Sequence, residues 1–234
     1  GRTAFLRGAA LHGYAPAVDL GRPELPRVPD SRPSYLNSDD LTRYLAEVQN
    51  EPDPVRTLLL LLPLTGCRVR ELCGAPIAGI GQQSGVPVLH VRRKGSTLSF
   101  ETVARFTARD CAQLLSAVAV SEHALPVLQS YLGGYRRQVA GSPWLFPSEQ
   151  RPADYLSYDV VKKAMHRVRG VLNLPWLTTH AAGRHTMGKL LRQQGVPLDQ
   201  IADALGHKSV ETTRQFYAQA EPDEIVQHTN LIRR

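Results

Sequence analysis

Apolar positions recur at a helical period over most of this chain and at a strand period in one short stretch. Leu41, Tyr44, Leu45 and Val48 follow Asn37 or Ser38 as cap, with Asp39 and Asp40 in the first turn, where the helix dipole favours acids. Val55 to Leu64 is apolar on every side and reads as a buried helix, broken near Pro63 and followed by another from about Arg68. Val86 to Val91 alternates weakly, is rich in β-formers and runs to a turn at Lys94-Gly95-Ser96, so a strand and hairpin are expected. Its returning strand is either Leu98 to Phe106 or Ser116 to Val120. Further helices are expected over 122–139, 157–169, 181–194 (ended by Gly195), 197–205 (ended by Gly206) and 209–220, and one more over Asp223 to Ile232. The expected fold is mostly α, of the α+β kind, with a small antiparallel sheet.

Phe5 to Leu11 reads as the last turns of a helix, and Pro16 to Pro33 as an extended proline-rich linker. The expected division is therefore 1–33 as a preceding helix end with its linker, 34–220 as the main domain, and 221–234 as a tail. Hydrophobic residues at 42% and charged residues at 21% are ordinary for a globular protein. The apolar run from Leu58 to Leu64 is too short to span a bilayer, and no secretory signal pattern opens the chain. Three cysteines, odd in number and without metal spacing, fit a reducing cytoplasm. The formal charge of +7 favours a polyanionic partner, because each neutralised phosphate releases a condensed counterion. Charge nominates nucleic acid but chooses no reaction.

Three clusters carry candidate chemistry. In Thr65-Gly66-Cys67-Arg68-Val69-Arg70-Glu71-Leu72 a glycine turn delivers Arg68 to a helix start, with Glu71 one turn later on the same face. An arginine held by a carboxylate is a rigid phosphate clamp, or simply a helix-start salt bridge. In Thr179-His180-Ala181-Ala182-Gly183-Arg184-His185, His180 and Arg184 lie about 40° apart on a helix, while His185 turns off that face as a structural histidine would. No acid or cysteine stands nearby at zinc spacing. The third cluster runs Leu205-Gly206-His207-Lys208-Ser209-Val210-Glu211-Thr212-Thr213-Arg214-Gln215-Phe216-Tyr217. With Leu198 to Ala204 before it, this stretch also matches a helix-turn-helix, and a helical tyrosine is commonly core packing.

Taken together and in order, these clusters resemble the tyrosine recombinase and integrase family, from about Asn37 to Tyr217. The resemblance implies the helical catalytic domain of that family and assigns catalytic roles to Arg68, Lys94, His180, Arg184, His207 and Tyr217, with Glu71 supporting. Arg92, Arg93 and Lys208 become DNA contacts that position without reading sequence. It implies attack of the tyrosine oxygen on a DNA phosphodiester, giving a 3′-phosphotyrosine and a free 5′-hydroxyl. The arginines and His207 would stabilise charge on the phosphoryl oxygens, Lys94 would protonate the leaving oxygen, and His180 would accept or steer the tyrosine proton. Neither metal nor nucleotide cofactor is expected, because the covalent link keeps the bond energy. Double-stranded DNA and a homo-oligomer, a tetramer on DNA, are the expected partners, with no membrane. Residues 221–234 form the segment such enzymes exchange between subunits or fold back on themselves.

The sequence departs from the family at two places. The family sets its histidine three residues before the second arginine, and here the count is four. His180 then points about 100° from the usual direction unless the helix begins later or carries a bulge. The family also sets its tyrosine nine positions after the Leu-Gly-His histidine; here the ninth is Phe216, which has no hydroxyl, and Tyr217 is the tenth. Two alternatives stay open: a type IB topoisomerase, which shares the chemistry, and a non-catalytic helix-turn-helix DNA-binding regulator.

Overall fold

Five consecutive leucines decide where the core sits. Leu58 to Leu62 are all buried in helix α2 (Val55–Thr65), which is apolar around its whole circumference and must be wrapped on every side. Each such leucine contributes about 1.5–3 kcal/mol through burial. The computed structural model describes residues 34–92, 99–139, 141–207 and 209–217. The chain divides into two units, Gly1–Arg32 and Pro33–Arg234, and the described residues belong to the second. The expected N-terminal helix end, the linker, the turn at 94–96 and the tail 221–234 lie outside the described residues.

Helix α1 (Ser38–Val48) is capped by Asn37, whose side chain accepts from the Asp40 N–H at 2.8 Å, and it buries Tyr44 and Val48. Helix α2 does not break at Pro63 as expected; it runs on to Thr65. Pro63 has no N–H to offer the carbonyl of Leu59, but the Tyr44 hydroxyl donates to that carbonyl at 2.9 Å. The missing backbone bond is thus replaced from a neighbouring helix.

After α3 (Val69–Cys73), three strands form an antiparallel sheet in the order β1 (Ile80–Gln83), β2 (Val86–Val91), β3 (Ser116–Ala119). Ile80 pairs with Leu89, and Leu89 pairs with Val118. The returning strand is therefore the second of the two alternatives. Within the other alternative, 98–106, lies a helix instead, α4 (Phe100–Ala104), capped by Ser99; α5 (Ala108–Leu114) follows it, capped by a reciprocal Thr107–Asp110 box. Strand β1 was not expected, because Gly81-Gln82-Gln83 shows no apolar alternation; it is an edge strand joined to β2 through Ser84 and Gly85, both at positive φ.

The single helix expected over 122–139 is two, α6 (Ala124–Gly133) and α7 (Tyr135–Gln138), split at Gly134, where ψ is −107°. Arg136 turns inward there and donates to the carbonyls of Val139, Ser142 and Trp144. Helix α8 (Tyr158–Leu172) runs beyond its expected end to Asn173, which takes the left-handed conformation. A π turn (Ala181–His185) leads into α9 (Thr186–Gln193), followed by α10 (Leu198–Leu205) and α11 (Val210–Tyr217). Helix α2 packs against α1, α6, α8, the π turn and α9. The last three helices enclose a smaller cluster of Ile201, Leu205 and Tyr217, with Met187, Leu191, Val196 and Leu198 around it. Among the described residues no helix is long and apolar enough to cross a membrane.

Candidate active site

Gly66 closes α2 at a φ of 61°, and a side chain there would meet Met187 Sδ at 2.7 Å and Leu205 Cδ2 at 2.8 Å. Glycine therefore allows α9 and α10 to close against the turn that carries Arg68. Arg68 is the cap of α3. Glu71, buried, takes the Arg68 N–H on Oε2 and the Arg68 Nη1 on Oε1, both at 2.7 Å. Arg184 Nη1 lies 3.6 Å from the same Oε2. One desolvated carboxylate thus joins the two arginines, and a buried carboxylate is stable only with such partners. Arg68 keeps 40% of its side chain exposed while Arg184 keeps 2%, so Arg68 is the more accessible cation.

Arg184 reaches the site because the chain widens into a π turn. The Thr186 N–H bonds back to Ala181 O, five residues away rather than four, and this accommodates the additional residue between His180 and Arg184. The bulge that the spacing left open is thus present, and it follows directly after His180. The His180 ring stands edge-on to His185, with centroids 4.6 Å apart. Although His180 keeps exposed surface, partial desolvation of the ring lowers its imidazole to about 4, with the positive fields of His185, Arg184, Arg68 and His207 adding to it. His180 is therefore neutral at pH 7 and able to accept a proton. His185 is lowered too, mainly by desolvation.

The Arg184 guanidinium donates to Gly66 O at 3.0 Å, to Leu205 O, and through Nε to His207 Nε2 at a long 3.5 Å. A guanidinium can only donate, so His207 Nε2 accepts and the network assigns the imidazole proton to Nδ1, which points at Thr213 Oγ1 at 2.8 Å. Tyr217 is buried, and its hydroxyl donates to the backbone carbonyl of Arg184 at 3.2 Å. Burial pushes the phenol up to about 12, against the opposing pull of Arg184. Its ring lies over Gly188, where an added Cβ would stand 2.4 Å from the ring carbon Cζ. Phe216 is exposed instead and stacks on His185, centroids 5.7 Å apart.

Arg68, Glu71, His180, Arg184, His207 and Tyr217 therefore converge. Arg92 follows the end of β2 and is half-buried; Arg93, Lys94 and Lys208 lie outside the described residues. Sequence reasoning missed Thr213, which holds His207, and Thr186, which holds the π turn. Thr213 stands in the third cluster and Thr186 directly after the second, but nothing in a sequence says which partner a hydroxyl meets. Among the described residues no group of three or more His, Cys, Asp or Glu is placed to hold a metal ion.

Comparison with known proteins gives the family and the fold. The chain is 26% identical over 226 residues to tyrosine recombinase XerD of Rhizobium meliloti (strain 1021), covering 91% of this chain and 64% of that protein. It is 24% identical over 214 residues to tyrosine recombinase XerA of Pyrococcus furiosus, covering 88% of this chain and 65% of that protein. The chain thus spans a little under two-thirds of the length of these relatives. Its fold matches XerH recombinase bound to a palindromic difH substrate in a post-cleavage complex, with a TM-score of 0.66 and 19% identity over 88% of this chain and 55% of that one. It also matches lambda integrase bound as a dimer to a core site, with a TM-score of 0.63 and 20% identity over 92% of this chain and 55% of that one. The model of the phage integrase family covers residues 34–224, most of the chain, and with the arginines, histidines and tyrosine of that motif set gathered at one place, the chain belongs to the phage integrase family.

Proposed function

We propose that this chain carries the catalytic domain of a site-specific DNA recombinase that cuts and rejoins strands through a phosphotyrosine at Tyr217. The observation that carries the reading is the Glu71 bridge: one buried carboxylate joins Arg68 to Arg184, with His207 on Arg184 and the Tyr217 hydroxyl on the Arg184 carbonyl. The Tyr217 oxygen attacks phosphorus, the P–O bond to the 5′-oxygen breaks, and the departing oxygen takes a proton from Lys94. Arg68, Arg184 and His207 stabilise the charge gathering on the non-bridging oxygens, His207 with a proton on Nε2 in place of the bond it accepts there from Arg184. His180, neutral at working pH, accepts the phenolic proton. Attack requires the phenol to leave the Arg184 carbonyl first.

Double-stranded DNA is the substrate, met in the cytoplasm by a homo-oligomer, a tetramer in the complete reaction, with Arg92, Arg93 and Lys208 on flanking phosphates. The test is a suicide duplex nicked beside the cleavage site, followed by mapping of the DNA-linked peptide. The unmodified chain is expected to form a covalent adduct at Tyr217, and Tyr217→Phe to form none while retaining affinity. An adduct in the Phe variant would end the assignment.

A second reading, DNA binding on the same fold without cleavage, is favoured by one observation. The ninth residue after His207 is the exposed Phe216, and Tyr217 is buried. A mobility shift with no covalent adduct selects it. Relaxation of supercoiled plasmid without recombined product selects a topoisomerase instead.

A further inference from the structure

An isolated π turn is unusual and relaxes to α-helix unless something holds it. Here the Thr186 N–H is shared between Ala181 O, five residues back, and Gly183 O, and the choice of Ala181 over Ala182 makes the π turn. The Thr186 side chain reinforces that choice: Oγ1 donates to the same Ala181 carbonyl at 2.8 Å. The same oxygen accepts the Leu36 N–H at 2.9 Å, and Thr186 has no exposed surface. The entry to the turn is fixed as well, with the Ala181 N–H on Thr178 Oγ1 at 3.1 Å. Neighbouring contacts join the same two segments. His185 Nδ1 lies 3.3 Å from Ser34 O, and Lys189 Nζ lies 5.6 Å from the Tyr35 ring centroid.

We propose that Thr186 is a positioning residue for strand cleavage: its hydroxyl, shared between Ala181 O and the Leu36 N–H, holds the π turn that brings His180 and Arg184 into one site. The proposal rests on the recombinase reading above. Without the hydroxyl, the turn loses its second bond to Ala181 O and the buried Leu36 N–H loses its acceptor. The turn then relaxes toward α-helix, rotating His180 away from the arginines. A displacement of about 1 Å at reacting groups is enough to slow chemistry by roughly a hundredfold.

Thr186→Val removes the hydroxyl at nearly constant shape, and Thr186→Ser keeps it. Three quantities are measured: single-turnover adduct formation at saturating suicide duplex, affinity by mobility shift, and titration of each histidine by NMR with the ring carbons labelled. The Val variant should form adduct roughly ten- to a hundredfold more slowly, with affinity within about twofold. The Ser variant should recover to within about threefold. His180 should titrate well above 4 in the Val variant, because its ring leaves partial burial and the fields of His185, Arg184, Arg68 and His207. A Val variant that cleaves at the unmodified rate with His180 still near 4, or a Ser variant as slow as Val, overturns the proposal. Should the Val variant not fold, Thr186→Ala and Thr186→Ser give the same comparison. The histidine titration needs no DNA, so it tests the role of Thr186 even where the unmodified chain forms no adduct and the recombinase reading itself fails.

Discussion

Gly188 leaves the space that the ring of Tyr217, the candidate nucleophile, fills. The ring lies where a Cβ on residue 188 would be, and the hydroxyl donates to Arg184 O one helical turn earlier. Gly188→Ala should therefore expel the ring, because ring atoms cannot yield as the tip of a flexible chain does. Once expelled, the phenol loses the burial that holds it near 12 and should titrate near the ordinary value of 10, read from tyrosine ring-carbon NMR shifts. A phenol still titrating near 12 would show that the helices separate instead. This residue was visible in the sequence as a candidate nucleophile, and so were Arg68, Glu71, His180, Arg184 and His207. What could not be read was its state, since a tyrosine hydroxyl set on a carbonyl and one facing a phosphate have the same sequence.

Helices α1 and α2 show how an element can override its own local signal. Proline inside a helix removes one bond and usually bends or ends it, which is why a break was expected at Pro63. Tyr44, from another helix, supplies the missing donor to Leu59 O. Tyr44→Phe should lower unfolding stability by about 1–3 kcal/mol, since it leaves a buried carbonyl unsatisfied at nearly unchanged volume. Denaturant unfolding measures it, and a loss under about 0.5 kcal/mol would mean that water or a relaxed α2 serves that carbonyl. The π turn is the same lesson at the active site. A spacing of four from His180 to Arg184 points to a misplaced ring on an unbroken α-helical wheel, and a tertiary contact through Thr186 accompanies a different wheel.

Across the whole molecule, the lowered histidines make stability depend on pH. His180 falls from the usual 6.5 to about 4, and His185 is lowered as well. Groups depressed by folding bind protons more readily in the unfolded chain. Their contribution is fully present above about pH 6.5 and is lost as pH falls toward 4. Melting temperature should therefore drop between pH 7 and pH 4.5, and His180→Gln should flatten that slope; an unchanged slope would place the pH sensitivity in other groups.

The repeating apolar stripes, the cap at Asn37, the buried leucine run and the ordered motif from Arg68 to Tyr217 were legible without coordinates, because each depends on short-range spacing along one chain. The β1 edge strand, the choice of Ser116–Ala119 over 98–106, the continuity of α2 and the choice of a bulge over a later helix start at 181–185 were not. Each of those depends on a partner far away in sequence: β2 for the strands, Tyr44 for the carbonyl at Pro63, Leu36 for the threonine beneath the π turn. Local spacing decided which residues this protein offers for chemistry; only distant hydrogen-bond partners decided which way they face.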